Sequence, residues 1–194
     1  MLGVNERDRL LGLVAEHLLG HGLTSSTLRG LARAVGSNNR MLLYYFGSRE
    51  QLVGEALQAV SRDFFPEFEH AWSALEHGTG TLRHDLQQVW DVIANPVNLP
   101  FLRLFFEVFG QATREPGYTN LMGDIASWHR PAAARFRREG LCAQDAETLA
   151  TELIALWRGL QMTLILTQDP AAVTRVQDRA LDGFCARTQA GVGT

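Results

Sequence analysis

Residues 27–46, TLRGLARAVGSNNRMLLYYF, carry two complete helix signals in a span that leaves room only for two brief helices and a tight turn. Thr27 suits an N-cap, and Leu28, Leu31, Ala32 and Val35 fall on one face before Gly36 ends the run. Ser37-Asn38 then caps NRMLLYYF, and Gly47 stops it before Ser48-Arg49-Glu50-Gln51 opens a further helix with a capping-box pattern. Two short helices joined by a glycine-containing turn read as a helix-turn-helix. The first turn of its second helix is polar and basic, as a helix entering the major groove requires. Leu42 and Phe46, four apart, face inward in this reading, which leaves Asn39, Arg40, Leu43 and Tyr44 outward. Arg reads guanine and Asn reads adenine by paired hydrogen bonds, and a Leu meets the thymine methyl. Thr27, Tyr44 and Arg49 suit contacts to phosphate, which position the protein without reading sequence, Arg29, Arg40 and Arg49 fit a phosphate-facing surface, and Asn38 joins them as a DNA-contact candidate.

Charge supports this placement, although the net charge of −3 does not. Residues 1–62 hold seven Arg against five acids, and the remainder holds eleven Arg against sixteen acids. No acid lies between Glu16 and Glu50, whereas Arg29, Arg33, Arg40 and Arg49 all do. A small basic head on an acidic body is the electrostatic footprint expected of a DNA-binding end. Arg33 is left without a role at this stage.

The rest of the chain is helical by composition and period. There are 28 Leu and 22 Ala against 12 Val and 4 Ile, a bias towards helix over sheet. Leu10, Leu13, Val14 and Leu18 mark a first helix after Asn5. From Arg49 to about Glu76 runs a long helix that Pro66 should kink or split. Further helices are expected up to Ala94, over 101–112, over 118–139 as one kinked helix or two pieces, over 145–167, and from Asp169-Pro170 to about Ala190. The fold class is therefore all-α, with a three-helix head over 1–48 and a larger helical domain over 49–194.

Around Thr27–Leu52 the chain resembles the TetR family of bacterial transcriptional regulators. The capped helix with Leu31-Ala32, the Gly36 turn, the helix ending Tyr44-Tyr45-Phe46, and Ser48-Arg49-Glu50-Gln51-Leu52 follow the family spacing without gaps. Gly30 stands where the family usually has an acid, Asn39-Arg40-Met41 replaces its usual entry into the recognition helix, and Leu43 replaces the first aromatic of the usual pair. The resemblance implies a repressor that binds a palindromic operator as a homodimer. It also implies a ligand pocket in the second domain.

Two features of that domain fit these implications. Trp90, Phe101, Phe105, Phe109, Met122, Trp128 and Trp157, with Gln161 as a polar anchor, form a set able to line an apolar cavity for a small apolar or aromatic ligand. The helix over 145–167 is apolar nearly all round, so one stripe faces the core and a second wants another chain. Leu156, Leu160 and Leu164, joined by Val173, Val176, Ala180 and Phe184 of the last helix, are the expected dimer face, packed as a four-helix bundle.

Other chemistry is expected to be absent. No catalytic motif stands in a suitable context, so an enzyme is not expected, and no cofactor is implied. His70, His77 and His84 are seven apart, but the HGTGT loop breaks their register, so no metal site is expected. Cys142 and Cys185 are too few for a disulfide framework, the N-terminus carries charges where a secretory signal needs apolar residues, and no run of 18 uncharged apolar residues exists. A cytoplasmic protein without a membrane partner is the expectation. The competing expectation is an all-helical small-molecule-binding protein with no DNA activity.

Overall fold

The computed structural model of the chain describes residues 5–23, 26–64, 66–115 and 129–191, and every regular element among them is helical. In order these are α1 (Glu6–His21), α2 (Leu28–Ala34), α3 (Asn39–Phe46), α4 (Arg49–Phe64), α5 (Pro66–His77), α6 (Leu82–Ala94), a 3-10 turn at Pro96–Asn98, α7 (Leu99–Ala112), α8 (His129–Arg138), α9 (Ala143–Thr167) and α10 (Pro170–Gly191).

The boundaries are set by local chemistry. Side-chain oxygens of Asn5, Thr27, Asn38, Ser48, Thr81 and Asp169 accept from the otherwise unpaired amides of Arg7, Gly30, Met41, Gln51, His84 and Ala172, at 2.9 to 3.3 Å. Pro66 splits the long helix rather than bending it: α4 ends at Phe64 and α5 begins at Pro66, a first-turn position where the missing amide costs nothing. Pro131 sits likewise in the first turn of α8. The expected helix over 118–139 is seen from His129 onward, and the residues before it lie outside the described part of the chain.

The chain forms two compact units. One comprises Met1–Phe65 with Leu99–Gly123, and the other Pro66–Asn98 with Asp124–Thr194. These limits fall at other points than residue 48, since α4 and α7 both belong with the head.

In the first unit, α1 packs on α4, α2 packs on α1 and α3, and α7 packs on both α1 and α4. Leu10, Val14, Leu18, Leu31, Leu42, Phe46, Leu52, Val53 and Phe105 are buried there. Arg7 lies over the Phe46 ring, 4.9 Å from its centroid, and is ion-paired to Glu55 of α4.

In the second unit, α8 packs on α9 and α5, α6 packs on α5 and α10, and α9 packs on α10. Trp90, Phe136, Leu153, Trp157, Leu164, Leu181 and Phe184 are buried at its centre. Arg135 of α8 is also buried, donating to Asp85 at 3.2 Å and to the Gly80 carbonyl at 3.0 Å, and it is ion-paired to Glu139. Three polar partners offset the desolvation of that guanidinium.

By length and composition α9 is apolar enough to cross a membrane, with a mean hydropathy of 1.3 over 18 residues. Leu149, Leu153, Ile154, Trp157, Leu160 and Leu164 turn one side of it into the core, which accounts for much of that apolarity. The opposite side presents Ala155, Gly159, Met162 and Leu166, a second stripe at helical spacing that is exposed in the protomer.

Candidate functional site

The helix-turn-helix is built from α2, a turn over 35–38, and α3. Thr27 Oγ1 accepts from the Gly30 amide at 3.0 Å, so the cap forms even though residue 30 brings no acid to complete a box. Gly36 takes φ of 66°, and the Ser37 amide reaches back to the Ala32 carbonyl at 2.8 Å, a left-handed helix ending that a glycine makes without strain. Asn38 Oδ1 accepts from the Met41 amide at 3.0 Å and starts α3.

Leu42 and Phe46 are buried, and the side chains of Asn39, Arg40, Leu43 and Tyr44 face out, with Tyr44 78% exposed. A tyrosine this exposed is not a core residue. Tyr45 is half-buried and sits edge-on to both Tyr44 and Phe46. Beside α3 an open cleft of about 760 Å³ is lined by Arg29, Ala32, Arg33, Ser37, Asn38 and Asn39. Arg33, which sequence reasoning left unassigned, thus shares a surface with Arg29 and the start of α3. Its signal was the acid-free window around it.

Three of the expected DNA contacts have structural work as well. The Asn38 and Thr27 side chains are helix caps. Arg49 Nε donates to the Ser26 carbonyl at 2.7 Å, and its Nη1 lies 3.9 Å from Glu50, so this arginine ties the α1–α2 loop to the root of α4. Sequence gave no hint of that bond, which joins residues 23 apart.

The expected pocket residues fall into two groups. Phe101, Phe105 and Phe109 stack along α7 in the first unit, with successive ring centroids 6.3 Å apart, and Phe109 is exposed while the other two are buried. Trp90, Trp157 and Gln161 are buried in the second unit, the two indoles 6.5 Å apart. Met122 and Trp128 lie outside the described residues.

Three residues that sequence reasoning missed join the second group. Trp72 of α5 stands 5.9 Å from Trp157, and Trp90 Nε1 donates to Thr174 at 3.3 Å. Gln177 of α10 accepts from Trp157 Nε1 at 2.9 Å, which fixes the orientation of its amide and leaves the fully buried Nε2 with no acceptor within hydrogen-bond reach. Next to this group Arg158 donates to Gln161 at 2.8 Å, and burial pulls its pKa down to about 10. Among the described residues no cluster of three or more His, Cys, Asp or Glu is arranged to hold a metal ion.

On the expected dimer face, Leu160, Leu164, Val173 and Phe184 are buried in the chain's own core, Leu156 and Ala180 are half-buried, and Val176 is 50% exposed. Met162 and Leu166, outside that expectation, are 52% and 82% exposed.

No family model matches the chain, and no curated protein matches it. Solved structures do match over nearly the whole length. A transcriptional regulator from Rhodococcus sp. Rha1 superposes with a TM-score of 0.75 at 15% identity, over 98% of this chain and 100% of that one. A TetR transcriptional regulator from Legionella pneumophila gives 0.68 at 14% identity, over 95% and 99%. A protein from Saccharomonospora viridis, solved in complex with choline, gives 0.68 at 24% identity, over 92% and 94%. Identities this low speak for architecture, and the architecture is unambiguous: the chain has the all-helical fold of the TetR-family transcriptional regulators.

Proposed function

We propose that the protein is a DNA-binding transcriptional regulator rather than an enzyme, a repressor that binds a palindromic operator as a homodimer and is released by a small, largely apolar ligand. The observation that carries this reading is the exposed start of α3. Asn39, Arg40, Leu43 and Tyr44 point away from the core on a capped helix flanked by Arg29 and Arg33, while the rest of the chain is net acidic. Arg40 and Asn39 carry base-edge contacts, and Arg29, Arg33 and Tyr44 position the head on the phosphates. The test is selection of duplexes from a random pool at low salt. The chain should enrich a two-fold symmetric sequence with half-sites one helical turn apart or a multiple of it. If no duplex outcompetes its scrambled control, the protein is a helical ligand-binding protein without DNA activity.

Dimerisation is assigned to the outward stripe of α9, with Met162 and Leu166, together with Val176 of α10. Two copies packed this way make a four-helix bundle. The ligand is assigned to the tryptophan cluster of the second unit. Three indoles supply apolar walls, and the buried Gln177 amide supplies a donor that wants an acceptor. A small molecule held there raises the melting temperature, and linkage requires it to weaken operator binding by the factor by which operator weakens it. Such a protein works in the cytoplasm.

A further inference from the structure

Four polar contacts in the first unit form a continuous path from α7 to the elements that carry the helix-turn-helix. The Leu23 amide, just past the end of α1, donates to Glu107 Oε2 of α7. Gly22, one residue earlier, donates its own amide to Leu18 at 2.8 Å to close α1, and its carbonyl accepts from Ser26 Oγ at 2.9 Å. The Ser26 amide donates to the Leu23 carbonyl at 3.0 Å, and the Ser26 carbonyl accepts from Arg49 Nε at 2.7 Å. Thr27, the next residue, caps α2, and Arg49 is the first residue of α4. Ser26 is only 2% exposed, so its bonds act in a medium where each is expensive to lose.

The carboxylate lies close against Gly22. Gly22 has φ of 72°, and a Cβ there would lie 2.7 and 2.9 Å from the two Glu107 oxygens. Only a glycine combines that backbone conformation with that close approach.

We propose that Glu107 is a positioning residue for the DNA-reading helices. Its carboxylate on α7 fixes the loop that leaves α1, and through Ser26 and Arg49 that loop fixes where α2 begins relative to the root of α4. The inference rests on the DNA-binding reading above, and it makes α7 a part of the reading head, in keeping with the compact unit to which α7 belongs.

The test compares Glu107→Leu with Glu107→Gln in the full-length protein. Glu107 is half-buried, so leucine fits the site, and glutamine keeps an oxygen able to accept from Leu23. Two quantities are read: exchange of the Leu23 amide by NMR, and the affinity ratio between the duplex selected by the wild type and its scrambled control. In Glu107→Leu the Leu23 amide should exchange at least about tenfold faster, as expected for a lost bond to a charged acceptor, while amides in the middle of α1 and α4 keep their protection. The selected-to-scrambled ratio should fall about tenfold, and Glu107→Gln should retain both properties within about threefold. Unchanged exchange and ratio in Glu107→Leu overturn the proposal. So does a loss of protection throughout α1 and α4, which makes Glu107 a scaffold residue, or an equal loss of the ratio in Glu107→Gln. If the wild type selects no duplex, the DNA-binding reading fails, and the role in DNA reading falls with it. The exchange measurement then still decides whether the α7 strut itself exists.

Discussion

Leu166 tests the assembly most sharply, because its surroundings differ so much between a lone protomer and a paired one. It is 82% exposed on the outer side of α9, within a helix whose inner side is already satisfied by the core. Full burial of a leucine contributes about 1.5 to 3 kcal/mol, so covering Leu166 recovers about 2 kcal/mol per protomer. Two-fold symmetry applies this twice, giving about 4 kcal/mol, or roughly a thousandfold in the dimer Kd. Leu166→Glu removes that term and adds the desolvation of two carboxylates, so the loss should be at least this large. Sedimentation velocity across a concentration series reads it directly: the wild type should be dimeric and Leu166→Glu monomeric in the micromolar range, with the same helical circular dichroism. Leu160→Ala, six residues earlier and buried in the core, should do the reverse, losing about 2 to 5 kcal/mol of protomer stability without shifting the dimer Kd. A Leu166→Glu protein that sediments as an unchanged dimer, or a wild type that is monomeric throughout, refutes the assignment of this stripe.

The remaining predictions concern the head, the buried ion pairs and pH. Arg40→Ala should cost about 1 to 3 kcal/mol of operator affinity and relax preference at one base pair, whereas Arg29→Ala should weaken all duplexes alike and lower the salt slope by about one; competition binding at several salt concentrations separates the two. Arg135→Met should lower unfolding free energy by about 3 to 5 kcal/mol in urea titrations, because it strands the Asp85 carboxylate in the core, and adding Asp85→Leu should recover part of the loss. His17 should contribute a loss of stability as pH drops from 7 through the imidazole range. Desolvation, reinforced by the stacked His21 ring 4.4 Å away, lowers the pKa of His17, so the unfolded chain takes up that proton first. His17→Gln should flatten this part of the curve of melting temperature against pH.

How much of this was legible in the sequence depends on the range of the interaction concerned. The caps at Asn5, Thr27, Asn38, Ser48 and Asp169 act over two or three residues, so the residue types alone announce them. The inward turn of Leu42 and Phe46 follows from one helical period. The stripe of Leu149, Leu153, Leu156, Leu160 and Leu164 is legible too, but nothing in a 3.6-residue period says that the core takes most of it together with Ile154 and Trp157, and the exposed stripe with Met162 and Leu166 was not read from the sequence. The place of α7 was hidden for a related reason: its run of Phe and Leu suits burial against any partner, and only tertiary packing sets it against α1 and α4. Arg135 with Asp85, Trp157 with Gln177, and Leu23 with Glu107 join residues 50, 20 and 84 apart, and no local pattern records such a pairing.

The division of the chain bears on how a ligand signal would reach DNA. Two described helices of the head end where the chain passes between compact units: α4 at Phe64, where Pro66 removes the amide that would carry the helix onward, and α7 at Leu99, after the 3-10 turn. In the proposed dimer, displacing α4 would carry the packed α3 with it and change the spacing between the two recognition helices, which a palindromic operator would sense and a scrambled duplex would not. Displacing α7 acts otherwise. Glu107 lies eight residues into that helix, about 12 Å along its axis, and a helix transmits an axial shift over such a length almost undiminished. A hydrogen bond is lost within about an ångström of stretch, so a shift that small at the start of α7 frees the Leu23 amide. The loop, the cap of α2 and the anchor of Arg49 are then loosened within one head, whatever the spacing between heads. A ligand working through α4 alone would leave the affinity of an isolated half-site untouched, whereas one working through α7 lowers it. Binding of half-site duplexes with and without ligand therefore tells the two routes apart, and an unchanged half-site affinity would leave α4 as the sole carrier of the signal.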